Sequence, residues 1–276
     1  MKWSAPSSNA TNTVGSPETV QYTESFENYK FGDYSLNIGG WLNIDQDKDF
    51  TFVIDGYIDM VPDESVPKAF QILSASEIYS RGDMEAHTGD KFLCAMCSFS
   101  TCSDDWFISP RLEKGSSFSL WVRAITDEYV PEKLEILYSE TGREINDFKI
   151  LSTENISSVE WQELKYKLPD NAIYFALRYC SDDIYGIGID DITCVLDSSD
   201  RTINGYNIYR KTTEDKAFSK IAENWNECIY VDSQANAKIE YEYYVSPTIL
   251  SGMVECGKSN SVRATRPDLA NTAQID

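Results

Sequence analysis

The sequence predicts an all-β protein that folds as β-sandwiches. Its aromatic content is high, with 17 Tyr, 12 Phe and 6 Trp, and aromatic side chains favour strands. Its apolar residues recur in short alternating runs that are separated by Gly, Asn, Asp and Ser, which is typical of strands and turns. No segment has the spacing of a helix with one apolar face. These three observations favour sandwiches over a helical class.

Length and charge narrow the functional classes. The 276 residues provide room for one large or two ordinary domains. Lys and Arg number 24 against 45 Asp and Glu, a formal net charge of −21. Such a charge repels nucleic acids and anionic membranes and favours hard divalent cations. We therefore expect no nucleic-acid partner, and no membrane insertion, because no stretch reaches the length of a transmembrane span.

Composition predicts four regions along the chain. Residues 1–20 are rich in Ser, Asn, Thr, Gly and Pro and lack the apolar stretch of an export signal. We expect them to be a disordered linker or the stub left after such a signal is removed. A larger domain is expected at 21–197 and a smaller one at 201–267, after a short polar linker, with a loose tail at 268–276.

The first half of the larger domain should contain five strands. The first ordered segment is 21–26, and the second, 40–44, alternates before it enters an acidic turn. The other three are apolar runs bounded by turn residues, at 50–58, 91–97 and 105–112.

Five more strands are expected in the second half of this domain. In the strand at 118–125, Phe118, Leu120 and Val122 share one face because side chains alternate along an extended chain. The same alternation predicts the other four strands, at 134–138, 161–168, 173–180 and 186–196.

The smaller domain begins with a strongly alternating segment, 203–210. Further short strands are expected at 218–222, 228–232, 240–245 and 261–264. Several short strands in so few residues predict a second, small sandwich.

The last strand of the larger domain carries two adjacent carboxylates among apolar residues. Alternation places Asp191 on one face of 186–196, with Ile187 and Ile189, and Asp190 on the other. A carboxylate on a dry face is costly without a positive partner, and the strand contains no Lys or Arg. A bound cation would satisfy the charge. The alternative is that one Asp lies at a sheet edge in water.

A second acidic feature follows the strand at 40–44. Asp45, Asp47 and Asp49 recur at every second position, a spacing that lets a loop place several oxygens around one Ca²⁺. The loop lacks the Gly and the distant Glu of a helix-loop-helix calcium site, so that motif is rejected. The alternative is a solvated acidic turn.

The cysteines give a weaker signal. There are seven, an odd number, so at least one thiol is unpaired in a chain without an intermolecular bridge. Cys94, Cys97 and Cys102 have a spacing seen in metal sites, but no fourth ligand is evident nearby. We expect buried thiols in strands.

The order of these segments resembles that of the cleaved-adhesin, or choice-of-anchor J, domains, which include the haemagglutinin-adhesin modules of the gingipains. The resemblance extends from about residue 23 to residue 196. It is carried, in chain order, by Ser25-Phe26-Glu27, Gly40-Trp41 with the acidic loop, Asp105-Trp106-Phe107-Ile108-Ser109-Pro110-Arg111-Leu112, Trp161-Gln162-Glu163, residues 173–179 and Ile189-Asp190-Asp191-Ile192. It implies a jelly-roll β-sandwich on a secreted or cell-surface protein of Bacteroidetes-like bacteria.

The resemblance also implies a structural Ca²⁺ where the first strand, the acidic loop and the last strand meet. The candidate ligands, carried over by position, are Glu27, Asp45, Asp47 and Asp191. Asp191 is preferred to Asp190 because it lies on the face of the apolar residues. Lys48 stands where glycine is frequent in the family, so the loop departs from the usual pattern.

The smaller domain resembles fibronectin type III domains that follow bacterial secreted enzymes and adhesins. The matching pieces are Gly205-Tyr206-Asn207-Ile208-Tyr209-Arg210, Tyr230-Val231-Asp232, Tyr241-Glu242-Tyr243-Tyr244-Val245 and Ser259-Asn260. This resemblance implies a spacer or docking role.

Enzymatic activity is not expected. The adjacent acids Asp104-Asp105 and Asp182-Asp183 could be proposed as a glycosidase pair, but sequence spacing does not place two carboxylates across a cleft. His87 is the sole histidine and has no adjacent nucleophile motif. The tripeptide Arg81-Gly82-Asp83 suggests integrin-type adhesion, with chance occurrence as the alternative.

Two functional classes therefore compete. The first is a non-catalytic module that binds glycans or host and surface proteins. Its candidate contact residues are Tyr129 and Tyr185, which lie beside acids in predicted loops, because sugar faces stack on aromatic faces. The second class is a structural spacer or interaction subunit of a larger surface assembly or secreted enzyme, with no small ligand of its own.

Overall fold

A computed structural model of the protein describes residues 20–51, 66–78, 85–197, 203–249, 252–255 and 257–267. These residues divide into two compact units, one within 17–198 and one from residue 199 onward. The described chain is nearly all β, which confirms the predicted fold class. The predicted tail, 268–276, lies outside the described residues, as does all of the predicted linker except Val20. No helix among the described residues is long and apolar enough to cross a membrane.

The strands are numbered in chain order. They are β1 (Val20–Glu24), β2 (Asn37–Ile38), β3 (Trp41–Asp45), β4 (Phe70–Ser74), β5 (Lys91–Met96), β6 (Asp105–Ile108), β7 (Ser117–Ala124), β8 (Glu132–Ser139), β9 (Lys149–Ile156), β10 (Gln162–Lys167), β11 (Tyr174–Tyr179), β12 (Gly186–Leu196), β13 (Ile203–Thr212), β14 (Ser219–Trp225), β15 (Glu240–Ile249), β16 (Val254–Glu255) and β17 (Val262–Thr265). One short 3-10 helix, Ile145–Asp147, precedes β9.

The first unit consists of two six-stranded antiparallel sheets. One has the order β10-β7-β12-β5-β4, with β1 paired to β12, and the other has the order β2-β3-β6-β11-β8-β9. The neighbours β2-β3, β4-β5 and β8-β9 are consecutive in sequence, whereas the other neighbours are distant in sequence because the chain passes repeatedly from one sheet to the other. β12 lies between β7 and β5 and also pairs with β1, so it is the central strand of its sheet.

Aromatic side chains fill the space between the two sheets. Trp41 stacks on Phe107 with ring centroids 4.9 Å apart, and Phe118 of one sheet stacks on Phe175 of the other at 3.8 Å. Phe70 contacts Phe107 across the sandwich at 5.7 Å. All five rings are buried. Burial of this much apolar area is the main stabilising term of the unit, and the stacked geometry adds to it.

Two of the six described thiols are buried in strands, as the sequence predicts, and the other four are not in regular strands. Cys94 and Cys194 lie in β5 and β12, and Cys97 follows β5, whereas Cys102 is exposed. All six described cysteines are free. Burial raises the pKa of Cys97 to about 12, so this thiol is protonated at neutral pH.

The second unit contains one antiparallel sheet among its described residues, in the order β14-β13-β15-β16 with β17 paired to β15. Its buried side chains include Tyr206, Ile208 and Tyr243. The strand predicted at 228–232 is not a regular strand. Its Asp232 instead accepts hydrogen bonds from Arg210 and Tyr243, and these contacts hold the segment in an irregular path. The fibronectin type III resemblance stays a prediction.

Candidate functional site

Three carboxylates converge at one end of the sandwich. Asp45 ends β3 and Asp105 begins β6, and the antiparallel register places these two residues directly opposite each other. Asp47 lies in the turn that follows β3. One oxygen from each of the three acids lies within 4.8 Å of the others. We call this group the aspartate triad. It is the one cluster of its kind found in the described residues.

Asp105 has the most unusual environment of the triad. It is 1% exposed, and neither carboxylate oxygen has a hydrogen-bond partner among the described residues. Burial, followed by the like charges of Asp47 and Asp45, raises its pKa well above the ordinary value. A buried carboxylate without partners is costly, so this geometry calls for a positive group in the triad.

The other acids of the loop join two segments of backbone. The Asp47 carboxylate accepts hydrogen bonds from the Ser98 hydroxyl at 3.1 Å and from the Asp104 N–H at 2.6 Å. Asp49 does not belong to the triad, because it accepts bonds from the Ser100 N–H at 2.6 Å and the Ser100 hydroxyl at 2.8 Å. These bonds from Ser100 lower the pKa of Asp49.

Lys48 occupies the turn position at which glycine is frequent in the resembled family. Its φ is +60°, the left-handed conformation that glycine adopts without strain. Its N–H donates to Asp45 Oδ1 at 2.7 Å, and its Nζ donates to the Asp45 carbonyl at 2.6 Å. The acidic turn therefore forms with lysine in place of glycine, and these two bonds offset the strain.

Glu27, one of the predicted calcium ligands, lies elsewhere. Its Oε1 accepts hydrogen bonds from the N–H groups of Asp90 at 2.9 Å and Lys91 at 2.7 Å. The Lys91 ammonium donates to the carbonyls of Glu27 and Tyr29. A protein cation thus binds the backbone around Glu27, and Glu27 is not brought to Asp45 and Asp47.

Asp191 was also predicted to be a ligand, and it too lies outside the triad. Its Oδ2 is 2.7 Å from His87 Nδ1, and the Thr88 hydroxyl donates to it at 2.9 Å. The preference for Asp191 rested on strict alternation along β12. A bulge between Asp190 and Thr193 interrupts that alternation, and Asp191 has φ +44°.

Asp190 is the buried member of the pair. It is fully buried, and its carboxylate accepts the N–H groups of His87 at 2.9 Å, Thr88 at 3.1 Å and Asp191 at 2.8 Å. His87 stacks on Trp121 with ring centroids 3.9 Å apart. The segment that contains His87 is therefore anchored to β12 by both acids and packed on β7.

Stability should depend on pH through Asp190. Burial raises the pKa of Asp190 to about 7, whereas an aspartate in an unfolded chain has a pKa of about 3.9. The folded state therefore binds the Asp190 proton more tightly than the unfolded state does. The stabilisation that the bound proton provides is complete below about pH 4 and is lost as the pH rises towards about 7. The free energy of unfolding of the wild type, relative to Asp190→Asn, should fall over that range in urea titrations. A difference that is flat or rises with pH would contradict this assignment.

The predicted contact residues Tyr129 and Tyr185 form a pair. Their rings are stacked, with centroids 5.5 Å apart and planes 9° from parallel. Tyr129 is 50% exposed, and Tyr185 is half-buried against the cluster that contains Phe92 and Met96. The pair thus presents one open aromatic face, that of Tyr129, with Tyr185 behind it. We call it the tyrosine platform.

A buried carboxylate anchors this platform. Glu132 is fully buried and begins β8. Its Oε1 accepts the N–H groups of Tyr185, at 2.9 Å, and Gly186, and its Oε2 accepts the Tyr179 hydroxyl at 2.7 Å. All three bonds have the Glu132 side chain as their acceptor in a dry environment, where hydrogen bonds are strongest.

The aspartate triad and the tyrosine platform belong to the same end of the sandwich. The Cys97 N–H donates to the Tyr185 carbonyl at 3.0 Å, and the Ser103 N–H donates to the Ser181 carbonyl at 2.9 Å. Ser98 in turn bonds Asp47. Together with the contacts of Tyr129 and Glu132 with Tyr185, these contacts join the segments 45–51, 97–105, 126–132 and 181–186 into one surface, which we call the loop end.

Sequence reasoning missed Glu132, considered Asp105 only as part of a glycosidase pair, and kept Asp190 as the less preferred of the two acids in the last strand. Asp105 could have been found from its position, since it starts an apolar strand and has no cationic neighbour in sequence. Glu132 gives no such signal, because its three partners follow it by about 50 residues. The tripeptide Arg81-Gly82-Asp83 lies outside the described residues.

Comparisons with known proteins agree with the resemblance in the larger unit. A family model, the Cleaved Adhesin Domain, matches residues 69–194, less than half of the chain. This range includes Asp105, Tyr129 and Tyr185 but not Asp45 or Asp47. The search of curated proteins found no match.

The chain is also similar to several solved structures. The K2 cleaved adhesin domain of Lys-gingipain is 18% identical, with a TM-score of 0.51, and the match covers 64% of this chain and 98% of that domain. The K1 cleaved adhesin domain of Lys-gingipain from Porphyromonas gingivalis W83 is 18% identical, covering 65% and 99%, with a TM-score of 0.49. A xylan-binding domain of carbohydrate-binding module family 22 is 15% identical, covering 63% and 93%, with a TM-score of 0.35. At this identity the K2 likeness shows a shared sandwich fold. The fibronectin type III resemblance is not confirmed by these comparisons.

Proposed function

We propose that the protein is a non-catalytic binding module, secreted or at a cell surface, that attaches to glycans or surface proteins through the loop end. The family match and the K2 fold support an adhesin-type module. The observation that carries the proposal is the tyrosine platform, an exposed ring backed by a second ring and anchored from beneath. Such a rigid aromatic face is what a sugar ring requires for stacking.

The residues around the platform suit hydroxyl-rich ligands. Asp127 and Glu128 precede Tyr129 in one turn, and Asp182 and Asp183 lie close before Tyr185. All four acids are exposed, so their carboxylates are available to accept hydrogen bonds from sugar hydroxyls. The aromatic face would bind the apolar side of a sugar ring, while the acids would fix its orientation.

The arrangement of acids favours a cation over hydrolysis. A glycosidase requires two carboxylates on either side of a bond, one of them placed to donate a proton to the leaving oxygen. In the aspartate triad the three carboxylates instead converge, and Asp105 is fully buried at the back. Converging carboxylate oxygens are the ligand set of a hard divalent cation.

We further propose that the triad holds a structural Ca²⁺. The residues fit this ion because Asp105 offers two buried oxygens without partners, and Asp45 and Asp47 add one converging oxygen each. The ion would supply the positive charge that the triad lacks. Asp45, Asp47 and Asp105 would be its protein ligands, and Glu27 and Asp191 would not. Since Asp47 also bonds the segment after β5, the ion would stiffen the loop end.

Loss of the exposed ring should abolish glycan binding. Tyr129→Ala should lower the signal of any ligand found on a glycan array by about tenfold or more, because the stacking face is removed. Tyr129→Phe keeps the ring and should retain binding. Tyr138, a half-buried tyrosine near the end of β8, provides the control, and Tyr138→Ala should bind like the wild type. An array without ligands for the wild type would contradict glycan binding and favour the structural spacer.

A further inference from the structure

Two exposed phenylalanines lie side by side at the loop end. Phe50 is 55% exposed and Phe99 is 72% exposed. Thr51 pairs with Ser98 in an antiparallel bridge, so Phe50 lies opposite Phe99, and the Phe99 N–H donates to the Phe50 carbonyl at 2.8 Å. Single exposed apolar residues are common on protein surfaces, but two neighbouring aromatic ones form a patch.

The backbone beneath this patch is fixed by polar contacts. Asp49, next to Phe50, bonds the Ser100 N–H and the hydroxyls of Ser100 and Thr101. The isolated bridge between Phe50 and Pro67 adds a contact on the other side. The backbone that carries the two rings is therefore already ordered. A partner that covers the rings would lose little free energy in ordering this backbone.

The surroundings of the patch are strongly negative. The carboxylates carried by the two phenylalanine segments and the segment beside them are Asp45, Asp47, Asp49, Asp104, Asp105, Asp182 and Asp183. Among the described residues, the cations near these acids include Lys48, which donates to the Asp45 carbonyl, and Arg178, which is paired with Asp104 at 2.7 Å and with Glu135. Lys133 also pairs with Glu135. The patch thus keeps a negative charge even with a divalent cation in the triad.

We propose that Phe50 and Phe99 form a docking surface for a basic protein segment that presents apolar side chains beside Lys or Arg. Apolar groups of such a segment would bury the two rings, and its cations would face the surrounding acids. A second copy of this chain would bring the same carboxylates together and be repelled, as would an anionic membrane. This surface does not depend on the tyrosine platform.

Peptide binding in solution tests this proposal. The probe is a short labelled peptide of alternating Lys and Leu, with Lys/Ser and Glu/Leu peptides of the same length as comparators, measured by fluorescence anisotropy. The full chain should bind the Lys/Leu peptide about tenfold or more tightly than either comparator. Binding should weaken as salt is raised from about 50 mM to about 500 mM, because the charges at the surface are screened.

Matched variants locate the site. Phe50→Ser with Phe99→Ser should weaken Lys/Leu binding by about tenfold or more. Leu36→Ser with Ile150→Ser removes two exposed apolar residues elsewhere and should change Lys/Leu binding less than about twofold.

Hydrogen exchange on the wild type gives a second readout that needs no substitution, with protection by the bound peptide expected at 46–51 and 98–102. Equal loss in both variant pairs, equal binding of the Glu/Leu peptide, or protection elsewhere would overturn the proposal. Tyr129→Ala should leave peptide binding unchanged, which separates this surface from the glycan site.

Discussion

Replacement of Asp105 by Asn should abolish the stabilisation of the protein by calcium. A ligand that binds only the folded state stabilises it by about 2.7 kcal/mol at a concentration of 100 times its Kd. For a unit of this size that corresponds to a rise in melting temperature of roughly 5–11 °C. Asp105→Asn removes the ligand with two free oxygens, so its melting temperature should be the same in calcium and in EDTA.

The same substitution should have the opposite effect when calcium is absent. Burial and the charges of Asp47 and Asp45 raise the pKa of Asp105, which means that its ionised form destabilises the folded state. In EDTA at neutral pH, Asp105→Asn should therefore melt at a higher temperature than the wild type. Acidification protonates Asp105, so the calcium response of the wild type should shrink as the pH falls.

Glu27→Gln is the matched control for this experiment. In the wild type, Glu27 Oε1 accepts two backbone N–H bonds, and Glu27 does not belong to the triad. The variant should lose some stability in both conditions but keep the full difference between calcium and EDTA. A calcium response that survives in Asp105→Asn and disappears in Glu27→Gln would contradict the proposed ligands.

Truncation of Glu132 should have the second large effect. Glu132→Ala leaves the N–H groups of Tyr185 and Gly186 and the Tyr179 hydroxyl without an acceptor in a dry site. The free energy of unfolding should fall by about 2–5 kcal/mol, because each stranded polar group retains its desolvation cost. The Tyr185 backbone would lose its anchor, so glycan binding through Tyr129 should weaken as well.

Conservative variants show whether the anchor acts through these bonds. Glu132→Gln keeps one carbonyl oxygen as an acceptor and should cost less than Glu132→Ala. Tyr179→Phe removes only the hydroxyl, and in combination with Glu132→Ala it should add little further loss, since the two groups are partners. Urea unfolding monitored by tyrosine and tryptophan fluorescence measures each value. Additive losses, or a Glu132→Ala variant with unchanged platform binding, would contradict the anchoring role.

Strands with a strong apolar alternation were predicted well. The face shared by Phe118, Leu120 and Val122 is buried in β7 as expected. β9 was missed because Lys149–Ile156 is an edge strand with mostly half-exposed or exposed side chains, so its sequence shows no apolar alternation. Its hydrogen-bonded pairing with β8 makes it a strand. β4 was missed as well, because its five residues are all buried and so show no alternation.

The candidate metal site shows where sequence reasoning ends. The spacing of Asp45 and Asp47 predicts a cation loop, and the structure keeps these two residues together. Asp105 joins them only through the register of β3 against β6, a pairing across 60 positions that no local pattern reveals. Asp191 was preferred by alternation, and alternation fails where a bulge turns the backbone to a positive φ.

The two tyrosines illustrate the same limit for a surface. Their position beside acids in loops suggests exposed rings, and Tyr129 is exposed. Their stacking depends on the Cys97 and Glu132 contacts that position Tyr185, which lie far away in sequence. The binding role of the pair is still a prediction, and Tyr129→Ala is its test.

A crystal structure of the protein grown with calcium would show whether one cation joins Asp45, Asp47 and Asp105. We expect an ion bound by oxygens of all three aspartates at about 2.3–2.6 Å, completed by water or backbone carbonyls. An ion bound by Glu27 and Asp191, with the Asp105 carboxylate left bare, would show that the triad is not the calcium site.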